Sequence, residues 1–221
     1  MKTLREVYES HKADLETLYK KLQEEGLWDD VSYPLLMSTW DNEPIPEAMF
    51  FGQETNGWGD SELIEDLMFL YRDFNLGEYY NSLFWRYLWE MSMNLGLKGR
   101  HPFLWNNINK FGKADSAGRP NSRVTELENK YFNVLKEELQ VIKPKICIFF
   151  TGPNYDNVLR AKLPDLEVLP VDGYPINEVA KLKSQYLPEH SYRTYHPGYG
   201  NRYRDWYNEL LKHIANKAKN L

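Results

Sequence analysis

Five consecutive apolar residues, Ile146-Cys147-Ile148-Phe149-Phe150, constrain this chain more than any other segment. A strand without a polar residue has no face fit for water. It belongs inside a sheet covered on both sides, as the strands of parallel sheets are. Pro144 ends the helix that precedes the strand, because the residue before a proline is pushed out of helical backbone. Thr151-Gly152-Pro153 then reads as a tight exit into a new helix with proline in its first turn.

The same alternation of helix and strand runs through the chain, without repeats or low-complexity tracts. Apolar spacing predicts a helix over 3–25, opened by a Thr3/Glu6 capping box and closed at Gly26. Residues 29–47, with Pro34, Pro44 and Pro46, are an irregular lead-in to a strand at 48–52. Two helices follow, one capped by Asp60 or Ser61 and one ending near Gly96, and then a short strand over 102–106. Residues 112–123 read as loop and 124–142 as helix. Leu166–Val171 reads as strand, Ile176–Gln185 as a short helix and Ser191–Tyr195 as strand, with a last helix over 202–217. Helix-sized crossovers between strands imply an α/β fold. The expectation is a three-layer α/β/α sandwich around a central, mostly parallel four-stranded sheet with right-handed connections. A length of 221 residues fits one domain over 1–221, with 1–47 as a helical and irregular extension.

Composition excludes several classes. The single cysteine, Cys147, sits inside the apolar strand, which rules out an internal disulfide and a four-cysteine metal site. The histidines form no metal-ligand pattern, so neither metal nor cofactor is expected. The charged amino terminus lacks an apolar signal core and no segment approaches transmembrane length, so a cytoplasmic protein without membrane contact is expected. Net charge is −5 but unevenly spread: residues 1–100 hold 9 Lys and Arg against 19 Asp and Glu, and residues 101–221 hold 18 against 13. The basic half carries Arg202 and Arg204 among Tyr199, Tyr203 and Trp206, a pattern that suits a phosphate-bearing partner or a solvated helix face.

In open parallel sheets, ligands bind beyond the carboxyl ends of the strands. Here those ends carry Gln53-Glu54, Asn106-Asn107, Thr151-Gly152 and His196. The first is the most suggestive. Met49-Phe50-Phe51-Gly52 runs into Gln53-Glu54-Thr55-Asn56-Gly57-Trp58-Gly59, a glycine-spaced turn with one acid and two amides. It reads equally as an ordinary connection or as a ligand-binding turn. An acid, an amide and a histidine, each directly after a strand, tilt the balance toward catalysis.

Gly52-Gln53-Glu54-Thr55-Asn56 resembles the first motif of the uracil-DNA glycosylase superfamily, and His196-Pro197-Gly198 resembles its second. Phe103-Leu104-Trp105-Asn106 is similar to the strand ending in that family's base-reading asparagine, and the likeness spans roughly residues 48–215. The resemblance implies a monomeric DNA glycosylase that acts on DNA containing a modified base, hydrolysing the N-glycosidic bond of uracil or another damaged base. It implies Glu54 and His196 as catalytic residues, Gln53, Asn106 and Trp58 as base-binding, and Tyr199, Arg202 and Arg204 as DNA-binding. Glu54, Asn106 and His196 are expected to face one pocket. The chain departs from the pattern at Thr55 for proline, Asn56 for tyrosine and Gly198 for serine, which puts uracil selectivity in question. A non-catalytic nucleic-acid- or protein-binding module on the same fold, and a nucleoside N-glycosidase, are the alternatives.

Overall fold

The computed structural model describes residues 2–199 and 204–218. Among them run α1 (Leu4–Ser10), α2 (Lys12–Glu24), β1 (Ala48–Gly52), α3 (Ile64–Asp73), α4 (Leu83–Leu95), β2 (Leu104–Asn107), α5 (Ser122–Tyr131) and α6 (Leu135–Ile142). They continue as β3 (Ile146–Phe150), α7 (Asp156–Lys162), β4 (Glu167–Pro170), β5 (Val179–Lys183), β6 (His190–Thr194) and α8 (Arg204–Ala218). The architecture is α/β. The sheet has the order β2-β1-β3-β6-β5-β4. Its first four strands are parallel, whereas β5 runs antiparallel to β6 and β4 antiparallel to β5.

The expected four-stranded sheet is therefore corrected to a six-stranded mixed one. The segment read as a helix over 176–185 supplies the fifth strand. In Val179-Ala180-Lys181-Leu182-Lys183 the side chains of Val179, Ala180 and Leu182 are buried, and the backbone pairs Val168 with Leu182 and Lys181 with Tyr192. Five residues are too few for periodicity to separate strand from helix. Two other expected helices are each split. His11 breaks the first by serving as the C-cap of α1, and its Nε2 lies 2.6 Å from Glu137 of α6. The second is interrupted at Phe132, a buried residue with φ −140°.

Every residue of β1 and β3 is buried, so both faces of the sheet centre are covered. Alternation sorts the side chains onto two faces. On one, Phe50 packs against Phe103 and Phe150, and Trp105 meets Tyr71 of α3 and Trp85 of α4. On the other, Phe51 stacks on Phe149 at 4.2 Å and Asn106 reaches α6.

This second face contains a buried ionic network. Glu138 accepts from Tyr8 Oη (2.6 Å), Asn106 Nδ2 (3.0 Å) and Lys110 Nζ (2.6 Å). Glu128 accepts from Lys162 Nζ at 2.5 Å and from the backbone N–H groups of Lys110 and Phe111. Lys110 Nζ also donates to Asn106 Oδ1 at 2.7 Å. Burial pulls the Lys110 ammonium below its ordinary value, opposed by Glu138. Charges so deep are tolerable only when paired and hydrogen-bonded, as these are. Removing one partner strands the other. Lys110→Met is expected to lower unfolding stability by about 3–5 kcal/mol, and adding Glu138→Gln to recover part of that loss, read as urea midpoints.

Candidate functional site

The carboxyl ends of the four parallel strands are joined by hydrogen bonds along one edge. Ile108 N donates to Gly52 O (3.1 Å) and Asn109 N to Gln53 O (2.9 Å), which ties the end of β2 to the end of β1. Gln53 Nε2 donates to Thr151 O at 2.8 Å and Gly152 N to Thr194 O at 2.9 Å, which extends the connection to β3 and β6. Gln53 is thus held by the backbone after β3, although it also lines the cleft described next.

A cleft of about 520 Å³ opens over this edge, within the roughly 300–1,000 Å³ typical of small-molecule sites. It is lined by the turn 52–59, by Phe74, Phe84, Trp85 and Trp105, and by Asn107 and His196. Its shape rests on close backbone approach. A side chain at Gly112 would collide with the Thr55 carbonyl, and one at Gly52 with Asn107 Oδ1 and the Phe84 ring. Thr55 turns inward to hydrogen-bond Ser32 Oγ at 3.0 Å, and Asn56 is exposed and bridges to Lys113.

Glu54 stands on one wall. Tyr155 Oη lies 2.8 Å from both carboxylate oxygens, and Asn109 Nδ2 donates to Oε2 at 3.2 Å. Oε1 is left with the greater spare capacity to accept. Desolvation raises the Glu54 carboxyl above its ordinary value of 4.5, while the bonds from Tyr155 and Asn109 pull the other way. The phenol in turn lies under the Arg119 guanidinium, 4.0 Å from the ring centroid, and Arg119 is fixed to Asn154 O at 2.9 Å. Tyr155 was not legible as a site residue. Its only sequence signal is its place just after Gly152-Pro153, at the end of the apolar strand.

His196 shares the cleft. Its ring stacks on Phe84 (5.2 Å, 8° between planes), and burial lowers its pKa to about 4. At neutral pH the ring is uncharged. Nδ1 accepts from Gly198 N at 3.1 Å, which assigns the proton to Nε2 and makes that nitrogen a donor.

Asn106 is a correction. It is fully buried on the opposite face, where both its side-chain atoms are used by Glu138, Lys110 and the backbone of Asn107. The strand ends one residue later than read, and a shift of one residue moves a side chain to the other face. Asn107, in place of Asn106, lines the cleft. Its Oδ1 accepts from Trp105 Nε1 at 3.2 Å, and because an indole N–H only donates, Nδ2 remains a donor. That Nδ2 is buried without a partner among the described residues, and so is Trp58 Nε1 on the same cleft. Trp58 is 8% exposed and packs edge-on against Phe74 and Trp105, so it offers an N–H more than a stacking face.

Tyr199 is exposed and stacks on Tyr195, and with Arg204 it lines a neighbouring hollow that shares His196. Arg202 lies outside the described residues. Among those residues, no three His, Cys, Asp or Glu side chains converge to hold a metal ion, and no helix is long and apolar enough to cross a membrane.

The two titrating groups act on stability in opposite directions. Glu54, raised on folding, contributes stability below pH 4.5 that is lost as pH rises through its folded value. Glu54→Gln is therefore expected to raise the melting temperature at pH 7. His196, lowered from 6.5 to about 4, contributes stability above pH 6.5 that is lost as pH falls toward 4. His196→Phe is expected to flatten the decline in melting temperature across that window, measured by calorimetry. In comparisons with known proteins, no family model matches the chain and no curated protein does.

Proposed function

We propose that this chain hydrolyses the N-glycosidic bond of a carbonyl-bearing base in DNA, as a divergent relative of the uracil-DNA glycosylases with their three-layer α/β/α arrangement. One observation carries the reading. A desolvated carboxylate, Glu54, shares a cleft with two buried N–H donors that lack partners, Asn107 Nδ2 and Trp58 Nε1, and with the neutral donor His196. Buried donors without partners are costly in a folded protein and are tolerated where a ligand completes them. A ligand that satisfies three donors is rich in acceptors, as the carbonyl edges of uracil, hypoxanthine and xanthine are.

The chemistry follows from this placement. Water adds to the sugar C1′ as the C1′–N bond breaks, and the bonding electrons leave with the base. Glu54, ionised, accepts the water's proton through Oε1 and opposes the positive charge that develops on the sugar. His196 Nε2–H and Asn107 Nδ2–H hydrogen-bond the carbonyl oxygens, on which the departing negative charge is shared. The base anion then takes up a proton, so one water is consumed, the base gains a hydrogen and the sugar gains a hydroxyl. Neutrality suits His196 to this role, since a hydrogen-bond donor is needed there and not an acid.

The departures from the family pattern have physical content. Thr55 is committed to Ser32, and Asn56 leaves the place of the usual tyrosine open to solvent. Discrimination against thymine is then not built in the usual way, and hypoxanthine and xanthine stand beside uracil as substrates.

Oligonucleotides bearing uracil, hypoxanthine or xanthine, treated with alkali after incubation, are expected to break at the modified site. Glu54→Gln is expected to slow release by about 10²–10⁴-fold, and Asn107→Ala to impair it without unfolding the chain. Asn106→Ala is expected to act through stability. Because the Glu54 carboxyl is raised, the acidic limb of the rate profile should lie above pH 4.5. Absence of any abasic product at stoichiometric enzyme would contradict the reading and favour a binding module, and release from free nucleosides alone would favour a nucleosidase.

A further inference from the structure

We infer that the rim of the cleft is a docking track for single-stranded nucleic acid, with two tyrosine rings as stacking platforms and two arginines as phosphate contacts. Tyr79 is 84% exposed and Tyr80 60% exposed, and Tyr80 also lines the main cleft. Large aromatic rings are rarely left in water side by side without a use.

The turn that carries them is built to be rigid. Leu76 adopts left-handed backbone (φ 51°, ψ 36°), which is unfavourable for a branched residue. It is held there by burial of its side chain, by Trp89 Nε1 donating to its carbonyl at 3.3 Å, and by Gly77 lying flat against the Trp85 ring. Tyr80 N then donates to Gly77 O at 2.8 Å, and the Tyr80 ring rests 4.9 Å from Phe74. The Tyr80 ring, fixed in advance, loses little freedom when a base stacks on it, and the exposed Tyr79 ring adds a second face beside it in the chain.

Beyond the tyrosines the rim continues into a hollow of about 200 Å³, walled by Leu83, Arg86, Tyr199 and Arg204. His196 lies between this hollow and the main cleft and belongs to both. Among the described residues no carboxylate lines the hollow, although the amino-terminal half of the chain is strongly acidic. Arg86 and Arg204 line this hollow, which shares His196 with the base-sized cleft, so a strand whose base enters the cleft can lead its phosphates past two cations. A duplex hides the faces of its bases in its own stack. Single strands present them, and stacking on aromatics is tolerant of sequence.

The inference rests on the nucleic-acid reading of the cleft, and binding separates the two. Fluorescence anisotropy of the full chain is measured with a dye-labelled oligothymidylate of about 12 nucleotides and with a blunt duplex of the same length, neither carrying a modified base. The single strand is expected to bind tighter. Tyr79→Ala is expected to weaken it roughly 5- to 100-fold, and Arg86→Ala to lower the salt slope by about 0.7. An unchanged urea midpoint for Tyr79→Ala, a residue exposed to solvent, shows that folding is not the cause. Equal binding of duplex and single strand, or a Tyr79→Ala affinity within about twofold of the parent, overturns the track even if base release is observed. Tyrosine-dependent single-strand binding without base release keeps the track and overturns the glycosylase reading.

Discussion

The buried pairing of Glu128 and Glu138 with Lys162 and Lys110 supports the structure around the cleft. Lys110 closes the segment that follows β2, and its backbone and ammonium are both bound by these carboxylates. Fixing Lys110 fixes what precedes and follows it: Asn107 on the cleft wall, Asn109 against Glu54, and Gly112 against the Thr55 carbonyl. The ionic network faces one side of the sheet and the cleft opens at its edge, yet one short segment belongs to both. Asn106 and Asn107 show the division directly. Adjacent in sequence, one amide completes the buried charges and the other keeps a free donor for the site.

The site gathers several unfavourable terms within one cleft. Glu54 is desolvated beyond what its two hydrogen bonds repair, and Asn107 and Trp58 bury N–H groups without partners. His196 is held neutral by burial. The carboxylate and the two unpartnered N–H groups cost stability in the free protein at neutral pH, and a chemically fitting ligand relieves the N–H groups together. Such conflicts are expected at functional positions and are rare in purely structural ones.

Much of this was legible in the sequence, for definable reasons. The apolar run Ile146–Phe150 announced a doubly covered strand, and β1, β3 and β6 were read from similar contrast with their flanks. The turn after β1 and the residue after β6 were marked by chemistry unusual for loops. Where contrast faded, the reading slipped. Val179–Lys183 is too short to show its period, and its strand character comes from pairing on both sides. Asn106 and Asn107 are chemically identical, so only the exact strand end decides which faces the cleft. Tyr155 owes its role to a partner about a hundred positions away, and no local pattern marks that contact.

The central claim is that the cleft's unpartnered donors and His196 receive the acceptor edge of a base. Glu54→Gln protein, labelled with ¹⁵N and bound to a single-stranded oligonucleotide carrying deoxyuridine or deoxyinosine, tests it without turnover. The account predicts selective shifts of the Trp58 indole and Asn107 side-chain N–H resonances, with His196 remaining neutral and protonated on Nε2. Binding that leaves those resonances in place, or that converts His196 to the imidazolium, would contradict it.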